Sequence, residues 1–205
     1  MVCQICGAKS GYYPLCVKHS NMRKTGEVVK CSHCKKWYLA SEGCSQCKEL
    51  EMTGDTKGDV VFVSDEKTAP LIKDMLSRAK DSVLIASPWM WGIEDIVQRL
   101  EHLKKEKVDI AILTRRSKEH DLAHGETVTL IHGLGCRIET DDDLHAKIVL
   151  VDDSELYIGS ANLVETSMEK NKEAGIWTND RVTVTDAKEY LAEAFDAAFR
   201  KRLQK

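Results

Sequence analysis

What most constrains this chain is a cysteine pattern near its start that repeats itself. Cys3, Cys6, Cys16 and His19 recur as Cys31, Cys34, Cys44 and Cys47, each displaced by 28 positions. The spacings are C-x2-C-x9-C-x2-H and C-x2-C-x9-C-x2-C. A two-residue gap lets both sulfurs of a knuckle reach one ion, and two knuckles complete a tetrahedron, so the pattern predicts two zinc-binding modules. Seven of the eight cysteines lie in the first 47 residues, and the start lacks the apolar core of a signal peptide. Reduced, metal-holding thiolates are therefore expected rather than disulfides. The repeat favours one ion per module, residues 1–27 and 28–50, over a cross-brace that interleaves the pairs. Modules this small bury too little surface to fold alone, so the metal supplies much of their stability. Four protein ligands leave no open position for water, which makes the zinc role structural. Gly7 follows the first knuckle, where a tight turn needs positive φ. Lys35, Lys36, Trp37 and Tyr38 combine charge with rings, as a nucleic-acid or protein contact would, or else form a solvated pair beside a small aromatic core.

Residues 51–58 carry two glycines and no apolar periodicity, and read as a linker. From residue 59 short β-rich runs alternate with helical patterns. Val60–Val63, Ser82–Ala86, Val108–Leu113, Arg137–Glu139, Ala146–Val151, Leu156–Ile158 and Ala174–Trp177 read as strands. Thr68–Ala79, Ile93–Lys105 and Ser117–His132 read as helices, as does a last stretch with Tyr190, Leu191, Ala194, Phe195, Ala198 and Phe199 at helical spacing. The pattern predicts an α/β fold for residues 59–205, a mixed sheet sandwiched by helices. Residues 1–58 hold nine Lys/Arg against five Asp/Glu, and the rest 21 against 28, so a mildly basic front precedes a mildly acidic remainder. That asymmetry favours an anionic partner for the front. With no apolar run long enough to cross a bilayer, a cytoplasmic protein is expected.

The stretch that carries chemistry is His145-Ala-Lys147-Ile-Val-Leu-Val-Asp152, followed by Gly159-Ser160-Ala-Asn162. Strand alternation puts His145 and Lys147 on one face, and a hairpin returns Ser160 and Asn162 to the end of the next strand. A nucleophile, a cation and neutral hydrogen-bond donors can thus converge on one phosphate. The pattern H-x-K-x4-D-x6-G-S-x-N resembles the HKD signature of the phospholipase D superfamily at every defining position, and Glu173, eleven residues beyond Asn162, matches the acidic residue that follows it. The resemblance covers residues 59–205 and is similar to that superfamily's small single-motif members. It implies that His145 is a nucleophile forming a phosphohistidine, and that Lys147 and Asn162 bind the non-bridging oxygens with Ser160 nearby. It further implies that Glu173 orients the imidazole, that Asp152 is more structural than catalytic, and that no catalytic metal is needed.

Such a mechanism requires a second histidine to protonate the leaving oxygen. The other histidines lack the motif, so the resemblance implies a homodimer whose partner supplies it. Trp89 and Trp91, with Met90 between them, either line the cleft or pack in a core or interface. Arg115 and Arg116 follow a strand end, where they bind flanking phosphates or form a solvated pair. Asp141, Asp142 and Asp143 would repel a polyanion and are expected to point away, and Cys136 reads as a buried strand residue. The resemblance implies phosphodiester chemistry, first on DNA or RNA. A phospholipid hydrolase or transphosphatidylase, and an inactive nucleic-acid-binding adaptor, stand as alternatives.

Overall fold

Strands rich in Val, Ile and Leu, interleaved with helices that are apolar on one face, can bury both surfaces of a sheet. The computed structural model of the chain shows this arrangement. It describes residues 2–10, 14–30, 36–42, 58–118 and 121–203. The chain divides into two compact units, Met1–Lys57 and Gly58–Lys205.

In the first unit, helix α1 (Val17–Lys24) is followed by an antiparallel hairpin of β1 (Val28–Lys30) and β2 (Trp37–Leu39). Cys3, Leu15 and Val28 form a small core, against which Ile5, Met22, Trp37 and Leu39 pack. The Trp37 N–H donates to Gln4 Oε1 at 3.1 Å. The expected division at residues 27 and 28 therefore runs through shared packing, with the hairpin of the second repeat lying on the knuckle of the first. Cys31, Cys34, Cys44, Cys47 and Lys35, and residues 51–57 of the expected linker, lie outside the described residues.

The second unit is built on a seven-stranded sheet: β3 (Val60–Ser64), β4 (Ser82–Ala86), β6 (Asp109–Thr114), β7 (Arg137–Thr140), β8 (Ile148–Val151), β9 (Glu155–Gly159) and β11 (Ala174–Thr178). Their spatial order is β3-β11-β9-β8-β4-β6-β7. The pairs β4–β6 and β6–β7 are parallel and the other four are antiparallel, so the sheet is mixed as expected. On one face α2 (Thr68–Arg78), α3 (Glu94–Lys105) and α4 (Leu122–Gly133) bury Val83, Ile85, Ile110, Ile112, Val149 and Tyr157. On the other, α6 (Arg181–Leu203) packs Val184, Leu191, Phe195 and Ala198 over Ala111, Leu113, Ile148, Leu150 and Leu156. Side chains such as Leu76, Leu100 and Ile112 are wholly buried, each contributing ~1.5–3 kcal/mol of transfer free energy.

Two short strands that periodicity does not reveal, β5 (Met90–Trp91) and β10 (Leu163–Val164), pair in parallel, and α5 (Glu165–Glu169) follows directly. The helix expected from Ser117 begins at Leu122, and the strand expected from Ala146 begins at Ile148. Both shifts leave irregular backbone at the same end of the sheet, where the site lies. No helix among the described residues is long and apolar enough to cross a membrane.

Candidate active site

The carboxyl ends of β4, β6 and β9 and the amino ends of β8 and β11 share one end of the sheet, the end where open α/β folds place ligands. There the segment leading into β8 presents Lys147 buried and His145 exposed. The Lys147 ammonium donates to the His145 carbonyl at 2.6 Å and lies 3.4 Å from the imidazole Nδ1. The β8–β9 hairpin is in register, Ile148 opposite Ile158, and so returns Gly159 and Ser160 beside Lys147. The Gly159 N–H donates to the Lys147 carbonyl at 3.2 Å.

Ser160 is tied to β11 on both backbone and side chain. Its N–H donates to the Ala174 carbonyl at 2.9 Å, and its hydroxyl accepts from the Ala174 N–H at 3.1 Å. That hydroxyl donates to the buried Glu173 carboxylate, which also faces the Asn171 amide at 3.5 Å. The resemblance placed Glu173 behind the imidazole; in the structure its carboxylate stands behind Ser160, and the side-chain partner of the imidazole is Lys147. Burial pushes the Lys147 ammonium below its ordinary pKa. The nearby Glu173 carboxylate opposes that shift, and Arg115 adds to it. Asn162, between β9 and β10, is half-buried, and its side-chain oxygen is buried with no hydrogen-bond partner.

Trp89 and Arg115 flank this group. The Arg115 guanidinium lies 5.7 Å over the Trp89 ring and donates to the Asp142 carbonyl at 2.6 and 2.9 Å. Trp91 is half-buried on β5, whose pairing with β10 joins it to the segment after Asn162. Arg116 points elsewhere, into a cavity of about 220 Å³ shared with Thr140, Asp141, Asp142, Asp143, Lys201 and Arg202. Lys201 on α6 pairs with Asp141 at 3.0 Å and with Asp143 at 3.7 Å, which turns those carboxylates toward the helix.

The structure does not bring Asp152 to this group. Asp152 sits at the far end of β8, five residues from Lys147 and so about 17 Å along the strand. Its carboxylate accepts the N–H groups of Lys80, Asp81 and Ser82 at 2.8–2.9 Å, holding the turn into β4.

Two residues that sequence reasoning passed over bracket the site. The buried Ser87 hydroxyl accepts the Leu163 N–H at 3.0 Å and donates to the Trp89 carbonyl at 2.8 Å. Buried His124 on α4 accepts the Met90 N–H at 3.1 Å and reaches the Arg115 carbonyl at 3.0 Å. Its ring also meets Trp89 edge-on, 5.2 Å between centroids. Neither belongs to a motif, and the contacts join segments far apart in the chain, so no local signal marks them.

In the first unit Cys3, Cys6, Cys16 and His19 form a group able to hold a metal ion, with all four ligand atoms within 4.8 Å of one another. Cys3 and Cys16 sulfurs lie 3.4 and 3.3 Å from His19 Nδ1, and Cys6 and Cys16 sulfurs are 3.9 Å apart. Four ligands at ~2.3 Å from one ion stand about 3.8 Å apart, so the quartet fits a tetrahedral ion. Burial alone would raise the Cys3 thiol, but backbone groups of Cys16, Cys6 and Ile5 hold its pKa down to about 6, which favours the ligating thiolate. Gly7 has φ +70°, the turn expected after a knuckle. Trp37, on the hairpin, lies under the cations of Arg23 at 5.6 Å and Lys30 at 6.0 Å.

The mixed seven-stranded sheet, with His145, Lys147 and Ser160 gathered at one end, fits a phospholipase D-like protein. Comparison with known families agrees: the family described as cardiolipin synthase, PLD-like domain, matches residues 72–198, and the chain belongs to it, within the phospholipase D superfamily of phosphodiesterases. Among curated proteins, cardiolipin synthase 1 of Staphylococcus aureus (strain COL) is 26% identical over 136 residues, which are 64% of this chain and 27% of that protein. The chain thus spans about a quarter of the relative's length. Among solved structures, the phospholipase D family member Nuc from Salmonella typhimurium superposes with TM-score 0.60 at 21% identity, covering 67% of this chain and 93% of that one. NucT from Helicobacter pylori gives TM-score 0.57 at 17% identity, covering 69% and 98%.

Proposed function

We propose that this chain is a nuclease, a homodimeric phosphodiesterase that acts through a phosphohistidine at His145. The observation that carries the reading is the exposed His145 imidazole beside the buried Lys147 ammonium, at the sheet end that also presents Ser160 and Asn162. An unprotonated imidazole nitrogen of His145 attacks phosphorus, forming the P–N bond as the P–O ester bond breaks. Lys147 and the Asn162 amide hold the non-bridging oxygens, whose charge increases in the transition state. The partner's His145 protonates the leaving oxygen, then takes a proton from the water that cleaves the P–N bond and frees the enzyme. Glu173 fixes the Ser160 hydroxyl and offsets part of the Lys147 charge. Asp152 holds the far end of β8.

Nucleic acid is favoured as substrate by the rings and cations that accompany the site and the first unit. Trp89 with Arg115, and Trp37 with Arg23 and Lys30, offer stacking faces next to positive charge. The first unit is basic, and its Cys3, Cys6, Cys16 and His19 quartet is suited to a structural zinc ion, with Cys31, Cys34, Cys44 and Cys47 proposed for a second. When bound, such an ion supplies cross-linking rather than catalysis. A second reading, phosphatidyl transfer or phospholipid hydrolysis, is favoured by the likeness to cardiolipin synthase 1.

A panel of single- and double-stranded DNA, RNA and phosphatidylglycerol vesicles separates the two. Nuclease action should appear with the full chain, persist through a short EDTA treatment, and vanish in His145→Ala. Turnover of lipid alone would replace the nuclease reading with the lipid one. Cleavage by His145→Ala at the wild-type rate would sink the mechanism for either substrate.

A further inference from the structure

Arg115 is fixed at every point but one. Its N–H donates to the Pro88 carbonyl at 3.3 Å, and its carbonyl accepts from His124 Nε2 at 3.0 Å. Its side-chain Nε and Nη2 donate to the Asp142 carbonyl, and the guanidinium lies over the Trp89 ring. Nη1 is left over, with no hydrogen-bond partner among the described residues. Every one of these anchors is neutral. Arg78 and Arg202 pair with the carboxylates of Glu155 and Glu139, whereas no carboxylate among the described residues pairs with Arg115.

That unbalanced charge stands near another. Burial lowers the Lys147 pKa, Glu173 opposes the shift, and the Arg115 charge adds to it, so the fold holds two cations together against their repulsion. The Glu173 carboxylate is already engaged by Ser160. One phosphodiester brings one negative charge, which Lys147 answers. A guanidinium held by neutral carbonyls with one fork open is suited to a second phosphate, through a charge-assisted bond that needs little rearrangement. A chain of phosphodiesters supplies that second charge next to the first, and an isolated phosphodiester does not.

The group that locks Arg115 to Trp89 is His124, buried on α4. Its Nδ1 accepts the Met90 N–H at 3.1 Å, so Nε2 carries the hydrogen and donates to the Arg115 carbonyl. The same ring meets Trp89 edge-on. One imidazole thus ties the segment after β4, which carries Trp89, to the segment after β6, which carries Arg115. We infer that Arg115, positioned by His124 and backed by Trp89, binds the phosphate next to the one attacked at His145, so that the site prefers a phosphodiester within a chain of phosphates to an isolated one. This rests on the nuclease reading and deepens it. His124 is a positioning residue, acting on the ligand only through Arg115 and Trp89.

The test is binding of a short fluorescent oligothymidylate to the full chain carrying His145→Ala, over a range of salt. Adding Arg115→Gln should weaken binding about tenfold and lower the slope of log affinity against log salt by about 0.7, the value of one single-strand phosphate. Arg116→Gln, which removes the same charge one residue on, should lower the slope less. His124→Ala should weaken binding and lower the slope in the same direction, and should add nothing on top of Arg115→Gln. His124→Gln, which keeps a donor for the Arg115 carbonyl, should recover part of the loss. With His145 restored, Arg115→Gln should lower kcat/KM for the oligonucleotide about tenfold more than for bis(p-nitrophenyl) phosphate, a diester with no neighbouring phosphate. An unchanged salt slope in Arg115→Gln, or equal losses on the two substrates, overturns the inference. So does a His124→Ala loss that simply adds to that of Arg115→Gln. An oligonucleotide bound with the Arg115-dependent slope but never cut by the wild type removes the nuclease reading and leaves the subsite. Cutting with a slope indifferent to Arg115 does the reverse, and an oligonucleotide neither bound nor cut removes both.

Discussion

Asp152 and Lys147 flank the same strand, within the same short motif, and do opposite things to the fold. The Asp152 carboxylate satisfies three backbone N–H groups at once, in a residue with φ +50°. Such charge-assisted bonds are worth about 1.5–3 kcal/mol each when fully made, and less where water reaches them. Asp152→Ala should therefore cost roughly 2–4 kcal/mol in urea unfolding, and Asp152→Asn, which keeps one oxygen and tolerates the left-handed backbone, roughly 1 kcal/mol. Activity per folded molecule should change little in either variant; a collapse of turnover without loss of stability would put Asp152 in the chemistry. Lys147 works against stability. Its pKa is lowered on folding, so between the folded value and the ordinary 10.5 the unfolded chain holds a proton that the folded chain has released. Stability then rises with pH through that window, and below it the buried ammonium is a standing cost. Lys147→Met should be more stable than wild type at neutral pH, inactive, and should lose its advantage as pH climbs through the window. Turnover by the wild type should fall on the alkaline side below pH 10.5, while Lys147→Arg, whose charge persists, should lack that limb. An alkaline limb unchanged in Lys147→Arg would assign it to another group.

Strands β9 and β11 show why a motif can be legible while its geometry is not. The glycine of Gly159-Ser160 is required for space rather than for backbone angle. A Cβ at Gly159 would stand 2.4 Å from the Tyr157 hydroxyl and 2.8 Å from the Ala174 carbonyl, and one at Gly175 would stand 2.6 Å from the Tyr157 ring. The two glycines let a buried tyrosine lie flat across both strands, and this fixes the register that delivers Ser160 to Glu173. Gly159→Ala should cost about 1–3 kcal/mol through overpacking, with part of the loss recovered in the background of Tyr157→Phe; a purely additive double-mutant cycle would show that the hydroxyl is not the obstacle. The strand cores and helices α2, α3 and α6 were readable because burial imposes periods of 2 and 3.6 residues on apolar side chains. The return of Ser160 beside Lys147 was readable because a tight hairpin joins β8 and β9. What periodicity cannot carry is a two-residue strand such as β5 or β10, whose partners lie more than seventy residues apart. Nor can it carry His124 and Ser87, whose role is to bond backbone groups brought close only by the fold. The Ser160–Glu173 contact was hidden for the same reason: β11 sets it, while the spacing from Asn162 places the carboxylate only roughly.

At the scale of the whole chain, two units with separate cores should come apart in stability. The second unit buries a large two-faced core around its sheet, whereas the first has Cys3, Leu15 and Val28 at its centre and a Cys/His quartet among them. If the quartet holds zinc as proposed, metal affinity and folding of residues 1–57 are one equilibrium. Ligation needs thiolates. The Ala8 backbone favours the Cys6 thiolate, but burial and the neighbouring Cys3 and Cys16 sulfurs push the Cys6 thiol up overall. Protons therefore already compete with the metal at neutral pH, and a further one competes once pH falls through the Cys3 pKa of about 6. Zinc release, followed with a colorimetric chelator, should steepen as pH drops below that value, and His19→Ala should shift the release upward in pH. Hydrogen exchange of the chelated protein should lose protection in β1, β2 and α1 while α2, α3 and the seven-stranded sheet keep theirs. The same chelated protein should still cleave a short oligonucleotide at His145, with a weaker apparent affinity for long nucleic acid, because the stacking face at Trp37 dissolves with its unit. Loss of protection across the seven-stranded sheet on chelation would instead mean that the two units fold as one, with the metal site supporting the phosphodiesterase domain as well as its own small core.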